Sequence, residues 1–594
     1  MSLRRWCPSF LLLVLLITAC DAPRPVLPTA LIRVDQVGWT TGETKIAMLL
    51  APGDAAGVTA TVLDEDGDAV LTVTAGASRG AWNARLRAIN PLDLTGLRRS
   101  GTFRVRLDDR FHAVSPPFRI GPAERLFAPL VTGAVHYFQA HRDGPDQVEG
   151  PWQRSTAHRD DRAATVYRTP ADDDASLEST GVTADVSGGW FDAGDYLKFT
   201  HTTAYALVVM QLVERDGPAP EILAAEIRHG LDWLGRMYRD GVLYTQVGVA
   251  GNGHFLGDHD AWRLPEADDE LAVHPGDRRY YQRYRPVFRA AAPGEPISPN
   301  LAGRVAAAFA LAAQREAGTD PDRARSYLDT AAAIFDRADT DPGGDLVTTV
   351  PRSFYPEESW ADDLALGATE LALAGTALGD GRTAGWTGQA TRWADDAGGG
   401  DDGLTVYDVA ALADAELYRL TPVASLAADL RQRLDGAVEA AGADPMGATS
   451  GSGGADWTAR QFGWAAAAGL YRRMTGDDRY AGFATAQRGT ALGRNGWGVS
   501  LVIGAGTDFP RCPHDQIGTL TGVPMTGGVV NGPNAADRVE SLEQATPETL
   551  CSAGSYPDFD RPDAQYVDDM RVSATNEPSI DFTATGMLAF ALVR

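Results

Sequence analysis

The 594-residue chain has few cysteines and a shortage of basic residues. It contains only four Cys, and 53 Lys and Arg stand against 79 Asp and Glu, which gives a formal net charge of −26. Such an acidic surface repels phosphate backbones, so the composition argues against nucleic acid as a partner. Hydrophobic residues make up 44% of the chain and charged residues 22%, as in ordinary globular proteins. The chain is too long for one hydrophobic core, so two or more folded units are expected.

The most apolar run near the start, Phe10 to Ile17, is too short to span a bilayer and follows two arginines, which indicates a targeting segment. It ends in ITAC at 17–20, which resembles the lipobox of bacterial lipoproteins, where the Cys is acylated. We therefore expect residues 1–20 to be a lipoprotein signal peptide and Cys20 to carry the lipid. The protein would be exported and anchored to a bacterial membrane, facing the periplasm or the cell surface. An ordinary signal peptide cut near Ala19 is the alternative.

Two cysteines remain outside this segment, Cys512 and Cys551. In an exported protein they could form a disulfide. Two unpaired thiols remain the alternative, because the sequence does not distinguish these states.

Composition divides the rest of the chain into three parts. Residues 21–30 are a Pro-rich tether. Residues 31–121 contain short β-branched segments separated by turns, which predict an immunoglobulin-like β-sandwich. Residues 122–594 contain many Ala- and Leu-rich stretches at helical spacing, without a visible sequence repeat, and this favours a closed ring of helix pairs over an open array.

The segment GGWFDAGDY at 188–196 places two carboxylates, Asp192 and Asp195, three residues apart among Gly and aromatic residues. Such a pair can orient a water molecule and take its proton if one carboxylate stays ionised. A surface turn is the alternative, because Asp and Gly are common in turns.

A second candidate, Glu577, lies in the mostly uncharged segment ATNEPSIDFTA at 574–584. Burial there could raise its pKa and make it a general acid. A carboxylate in the first turn of the following apolar helix is the alternative.

Together these segments resemble glycoside hydrolase family 9, whose members carry G-G-W-Y-D-A-G-D early in the catalytic domain and N-E-x-A-x-D-Y-N-A near its end. The stretch IRVDQVGW at 32–39 is similar to the immunoglobulin-like module that precedes many bacterial members. The resemblance covers about 31–594. It implies an (α/α)6 barrel and a reaction that inverts the configuration at the anomeric carbon. It implies that Asp195 is the general base, that Asp192 helps to hold the attacking water and that Glu577 is the general acid.

The resemblance also implies a set of substrate-binding residues. The stretch DHDAW at 258–262, followed by Pro265-Glu266, resembles the family's D-H-x-x-W-x-x-P-E. His259 offers a hydroxyl partner and Trp262 a ring face for a sugar. Tyr355, beside Phe354, resembles an aromatic subsite, and His514 is the one His kept from the family's P-H-H-R.

Two departures concern the substrate. P-H-H-R appears as PHDQ at 513–516, without the Arg that contacts sugar hydroxyls, and the added acidic residue suggests an amino sugar as a hypothesis. Phe582 and Thr583 replace the Tyr and Asn of D-Y-N-A, which removes a polar contact near the acid, and Phe582 is expected to line the cleft.

Two further departures concern metals. Many relatives bind zinc through two Cys-His pairs, and here those pairs are Ala140-His141 and Ala157-His158, so no zinc is expected. The family's calcium segment resembles 358–363, which makes structural calcium plausible through oxygen ligands. The expected calcium ligands are Ser359, Asp362, Asp363 and Asp408. Asp362 and Asp363 could instead simply begin a helix.

These observations predict an exported, monomeric endo-β-1,4-glucanase of the cellulase type that needs no cofactor for its chemistry and acts on soluble or loosened glucan. One rival is an exo-acting glycosidase on short glucose or glucosamine oligosaccharides. Another is a non-catalytic sugar-binding lipoprotein, which would not need all three carboxylates.

Overall fold

The computed structural model describes residues 30–108, 110–170, 175–397, 403–449, 454–540 and 551–593. The expected signal peptide with Cys20, and all of the tether except Ala30, lie outside these residues. Within the described part of the chain, no helix has both the length and the apolar character needed to cross a membrane.

The predicted all-β N-terminal domain is confirmed. It consists of two sheets, ordered β1-β3-β6 and β2-β9-β7-β4-β5, with β8 paired to β7. Its strands are β1 (Leu31–Arg33), β2 (Gly38–Thr40), β3 (Ile46–Ala51), β4 (Thr59–Asp64), β5 (Ala69–Thr74), β6 (Ala88–Asp93), β7 (Gly101–Asp108), β8 (His112–Val114) and β9 (Phe118–Gly121). Trp39, Phe103 and Phe118 pack between the sheets, as the alternation of inward-facing residues requires.

The helical part closes into the predicted (α/α)6 barrel. Six inner helices contact one another in a ring, in the order α2-α5-α7-α9-α11-α16 and back to α2. They are α2 (Thr200–Asp216), α5 (Pro299–Glu316), α7 (Ala361–Leu378), α9 (Ala410–Leu420), α11 (Trp457–Thr475) and α16 (Ile580–Ala591).

Each inner helix packs mainly against one outer helix and, in several cases, also touches the next one in the outer ring. The outer helices are α1 (Ala123–Ala140), α3 (Leu223–Met237), α6 (Pro321–Phe335), α8 (Thr383–Asp396), α10 (Ala424–Ala443) and α12 (Ala481–Ala491). The small side chains of the inner helices allow close contact. A Cβ at Gly303 of α5 would collide with the backbone of Asp363 in α7. Every residue of α16 is buried, because inner helices have no solvent-facing side.

Short elements occupy the connections. The strands are β10 (Ala164–Tyr167), β11 (Ser179–Ala184), β12 (Lys198–Phe199), β13 (Tyr238–Arg239), β14 (Val242–Val247), β15 (Val287–Arg289), β16 (Val529–Val530), β17 (Ser552–Ser555), β18 (Val567–Asp569) and β19 (Pro578–Ser579). The short helices are α4 (Tyr280–Arg283), α13 (Gln516–Thr521), α14 (Ala536–Glu540) and α15 (Ser573–Asn576).

The β-domain is fastened to the barrel by side chains that bond to backbone groups. Gln36 donates to the Gly498 carbonyl at 2.8 Å and accepts from the backbone N–H of Thr507 and Asp508, both at 2.9 Å. Trp82 donates to the Phe559 carbonyl at 2.6 Å. The domain therefore supports the segments that lead to the candidate site.

Candidate active site

The GGWFDAGDY loop connects β11 to β12 and is held from both sides. The Phe191 N–H donates to the His141 carbonyl and the Asp192 N–H to the Leu197 carbonyl, both at 2.8 Å. A Cβ at Gly194 would collide with the His514 carbonyl oxygen, so this close approach requires glycine. The loop is therefore packed inside the protein, and the alternative of a surface turn is wrong.

Asp195 is 3% exposed, and both of its oxygens have partners. Oδ1 accepts the Leu197 N–H at 2.8 Å, and Oδ2 pairs with Nδ1 of His259. Burial acts to raise the pKa of Asp195, but the adjacent His259 cation outweighs burial and lowers it. Burial also acts to lower the pKa of His259, which the Asp195 carboxylate nevertheless raises to about 9. Asp195 is therefore an ionised carboxylate at neutral pH, as a general base requires.

Glu577 lies between α15 and α16, and α16 begins only at Ile580 with Ser579 as its capping residue. Its carboxyl oxygen Oε1 accepts the Gly194 N–H at 3.1 Å. Burial, reinforced by the negative charge of Asp195, raises the pKa of Glu577 to about 8. The acid is protonated at neutral pH, and the alternative of a first-turn carboxylate is wrong.

The segment before Glu577 is anchored by Asn576 and a disulfide. The Asn576 amide donates to the Cys512 carbonyl at 2.6 Å and to Asp568 at 2.9 Å. Cys512 is joined to Cys551, so the structure has the disulfide and not the two free thiols. These contacts connect the segment that carries Glu577 to the segment that carries His514.

Asp192 is as buried as Asp195 and is held by two hydroxyl groups. Thr202 donates to one oxygen and the Tyr355 hydroxyl to the other, the latter at 2.7 Å. Burial raises the pKa of Asp192 to about 7, although both hydroxyl groups favour the charged form. No motif pointed to Thr202, which lies in the first turn of α2.

The predicted sugar-binding residues fall into two groups. His259, Trp262 and His514 come together beside Asp195: the Trp262 and His514 rings are 5.2 Å apart, and His259 lies 5.0 Å from the Phe354 ring. Burial lowers the pKa of His514 to about 4, so it is neutral.

The predictions for the other two residues, Tyr355 and Phe582, need correction. Tyr355 is buried with its hydroxyl group on Asp192, so it supports a carboxylate instead of offering a ring face, while Phe354 is only partly buried. Phe582 is 5% exposed and packs in the hydrophobic core. This placement does not support its expected role in lining the cleft.

The PHDQ segment also differs from the expectation. Asp515 is 0% exposed; its oxygens lie 2.9 Å from Nε2 of His141 and 2.7 Å from the Gly518 N–H. Gln516 bonds to the backbone of Arg263 and Asp258. Neither side chain is free to meet a sugar, so the amino-sugar hypothesis loses the residue on which it rested.

The residues at the relatives' zinc positions do not fit a zinc ion. Both ring nitrogens of His141 face oxygens, those of Tyr137 and Asp515. Those of His158 face Asp143 and Asp268. No Cys lies in either pair.

Among the described residues, Asp143, His158 and Asp161 form the one group of three His, Cys, Asp or Glu side chains whose ligand atoms are close enough for an ion. Protein cations already fill this cluster: the Lys198 ammonium lies 2.7 Å from Asp143 and 2.9 Å from Asp161, and Arg285 contacts both carboxylates. A metal would have to displace these charges.

The expected calcium ligands are only partly assembled. The Ser359 hydroxyl lies 2.5 Å from Asp362, whose second oxygen accepts the Val409 N–H at 2.8 Å. Asp363 instead bonds to Arg304 at 2.8 Å, and Asp408 faces Arg433 at 3.4 Å.

A buried protonated carboxyl beside an ionised one, with half-buried aromatic residues alongside, is the arrangement of a glycoside hydrolase. Comparison with known proteins identifies the particular family. The chain belongs to glycosyl hydrolase family 9, whose profile matches residues 127–590, and a cellulase N-terminal Ig-like domain matches residues 28–110.

Similar proteins cover nearly the whole chain. A xyloglucan-specific endo-β-1,4-glucanase of Bacteroides ovatus is 23% identical over 98% of this chain and 97% of its own length. The crystal structure of a metagenome-derived family 9 endoglucanase aligns with a TM-score of 0.71 at 24% identity, covering 95% of this chain and 98% of the other. A Zn-binding triple mutant of the family 9 endoglucanase J30 aligns with a TM-score of 0.72 at 24% identity, covering 93% and 99%.

Proposed function

We propose that the protein is an inverting endo-β-1,4-glucanase that acts on cellulose-type glucans. The observation that carries the proposal is the hydrogen bond from the Gly194 N–H to Oε1 of Glu577. This bond holds a protonated carboxyl group near the ionised carboxylate of Asp195. The endoglucanase relatives support the substrate class.

In the proposed reaction Glu577 donates its proton to the glycosidic oxygen as the bond to the anomeric carbon breaks. A water molecule attacks that carbon from the opposite face, and Asp195 takes its proton. Asp192, fixed by Thr202 and Tyr355, helps to hold the water. The products are two shorter chains, one with an inverted anomeric centre at its new reducing end and one with a free hydroxyl group at the former glycosidic oxygen.

The test is hydrolysis of carboxymethyl cellulose, lichenan, xyloglucan, cello-oligosaccharides and chitosan oligosaccharides. We expect a rapid fall in the viscosity of at least one β-glucan, with inverted products by NMR, and no cleavage of chitosan. Trimming of short oligomers without loss of viscosity would instead establish the exo-acting rival. Crystalline cellulose should release sugar far more slowly than a soluble glucan, and comparable rates would contradict that expectation.

We further propose a calcium ion beside Asp362. Two buried carboxylates, those of Glu357 and Asp363, pair with one guanidinium, that of Arg304, and the buried carboxylate of Asp362 lies in the same first turn of α7 as Asp363. Burial raises the pKa of Asp362 and of Asp363, and Oδ2 of Asp363 has no hydrogen-bond partner. A divalent ion held by Ser359 and the two aspartates would supply the missing positive charge.

Chelation of calcium should therefore lower the melting temperature, and added calcium should restore it. Stabilisation reaches about 2.7 kcal/mol when free calcium is 100 times its dissociation constant. The measurement is a thermal melt in EGTA, calcium or magnesium, with Asp362→Asn expected to abolish the response and Asp429→Asn to leave it intact. A wild-type melting temperature that is equal in EGTA and in calcium would rule the site out.

The membrane anchor stays a proposal about Cys20, with the protein acting as a monomer. Wild-type protein expressed in a bacterial host should pellet with membranes and partition into detergent, because two or more acyl chains hold it there. Cys20→Ser should appear in the soluble fraction with Cys7→Ser as its control. Equal partitioning of Cys20→Ser and wild type would exclude lipidation at this residue.

A further inference from the structure

Asp515 connects an outer helix of the barrel to the catalytic loop. Its side chain is fully buried, although it stands one residue from His514 at the cleft. One oxygen lies 2.9 Å from Nε2 of His141, the residue that ends α1. The other accepts the Gly518 N–H at 2.7 Å and so caps α13. The carboxylate therefore fixes the 513–516 segment from two directions.

The 513–516 segment is in turn bonded to the peptide between the acid and the base. The backbone N–H of Gln516 donates to the Gly194 carbonyl at 2.8 Å. The N–H of the same Gly194 donates to Oε1 of Glu577 at 3.1 Å, and Asp195 is the next residue. The glycine also touches the His514 backbone, where no Cβ could fit. A displacement of 513–516 would therefore move the Gly194 peptide and change the geometry between Glu577 and Asp195.

His141 is well placed to hold Asp515. Its Nδ1 lies 2.9 Å from the Tyr137 carbonyl, one turn back in α1, and the Tyr137 ring packs on the imidazole with centroids 4.1 Å apart. Both ring nitrogens therefore face oxygens, and the ring cannot rotate without losing two contacts. The carbonyl of His141 also accepts the Phe191 N–H at 2.8 Å. His141 therefore supports the catalytic loop at Phe191 through its backbone and at Gly194 through Asp515.

We propose that Asp515 is a positioning residue: together with His141 it holds the 513–516 segment so that the Gly194 peptide keeps Glu577 and Asp195 in their reacting geometry. The proposal rests on the roles given to Glu577 and Asp195 under the proposed function. A purely structural role as a helix cap is the competing explanation. The two differ in whether kcat depends on the bond to His141.

The experiment compares Asp515→Ala, His141→Ala, the double variant and Asp515→Asn. Rates are measured on a soluble β-glucan and on an aryl β-cellobioside with a poor leaving group. Loss of either partner should lower kcat about 100-fold, the cost of misplacing a catalytic group by about 1 Å, while KM changes less than about twofold. The double variant should be no slower than either single one, because the pair acts as a unit.

Two variants separate positioning from folding. Asp515→Asn keeps an oxygen for the cap and an N–H that can donate to His141, so it should restore kcat to within about threefold of wild type. Asp320→Ala removes the corresponding cap of α6, which Asp320 makes to the Arg323 N–H; it should lower the melting temperature and leave kcat unchanged. If Asp515→Ala does not fold, His141→Ala decides, because it leaves the α13 cap intact.

A kcat within twofold of wild type in His141→Ala, or losses that add in the double variant, would overturn the proposal. An active wild type with unaffected variants would reject the positioning role alone. A wild type that cleaves neither substrate would reject the proposed function, and with it the catalytic roles on which this inference depends.

Discussion

Glu577→Gln should lower kcat on a β-glucan by about 10³-fold, close to 4 kcal/mol of transition-state stabilisation. The amide keeps the shape of the carboxyl group and can still accept the Gly194 N–H, but it has no proton to give to the leaving oxygen. The loss should shrink on an aryl β-cellobioside with an acidic phenol, because that leaving group departs without protonation. The measurement is a set of kcat/KM values against the pKa of the leaving phenol.

The pH profile checks the same assignment. Burial and the Asp195 charge raise the pKa of Glu577 to about 8, and a general acid works only while it is protonated. Wild-type activity on poor leaving groups should therefore fall about tenfold per pH unit above pH 8. Glu577→Gln should lack this decline, and Glu270→Gln, an exposed control, should keep it. A loss that is equal for all leaving groups would show that Glu577 is not the proton donor.

The order of the barrel's elements was largely predictable because helical spacing is a local property of the chain. The Ala- and Leu-rich stretches of residues 122–594 became helices such as α5 and α7, and the β-branched segments of residues 31–121 became strands such as β4. The ring closure is non-local: α16 packs between α2 and α11, and no local pattern specifies those neighbours.

The candidate site was predictable only where residues belong to recognised motifs. The motifs pointed to Asp192, Asp195 and Glu577, but not to Thr202 or the hydroxyl bond of Tyr355, since both contacts depend on how α2 and the 352–355 turn pack around Asp192. The same limit explains why the inward orientation of the Asp515 side chain was not predicted. Its sequence position beside His514 suggested the cleft, whereas its side chain turns inward to His141.

Asp195→Asn should be at least as damaging as the loss of the acid, with kcat reduced about 10³-fold or more on every substrate. The base acts on the attacking water, so a better leaving group cannot replace it, and the loss should not depend on the leaving phenol. His259 can still bond to the amide oxygen, so the dissociation constant of a cello-oligosaccharide should change less than about threefold by calorimetry. Asp185→Asn, in the same connection but bonded to Ser187, is the matched control and should retain wild-type rates.

The opposite responses of the two variants are what separate the two roles. If Asp195→Asn recovered on activated substrates as Glu577→Gln is expected to do, Asp195 would not be the base. Asp192 would then be the next candidate, because burial raises its pKa only to about 7 and it is ionised above that pH. In that case Asp192→Asn would show the loss that is independent of the leaving group. If only Asp195→Asn shows this loss, Asp195 is the base. Its ion pair with His259 then keeps Asp195 ionised while it lies buried beside Glu577.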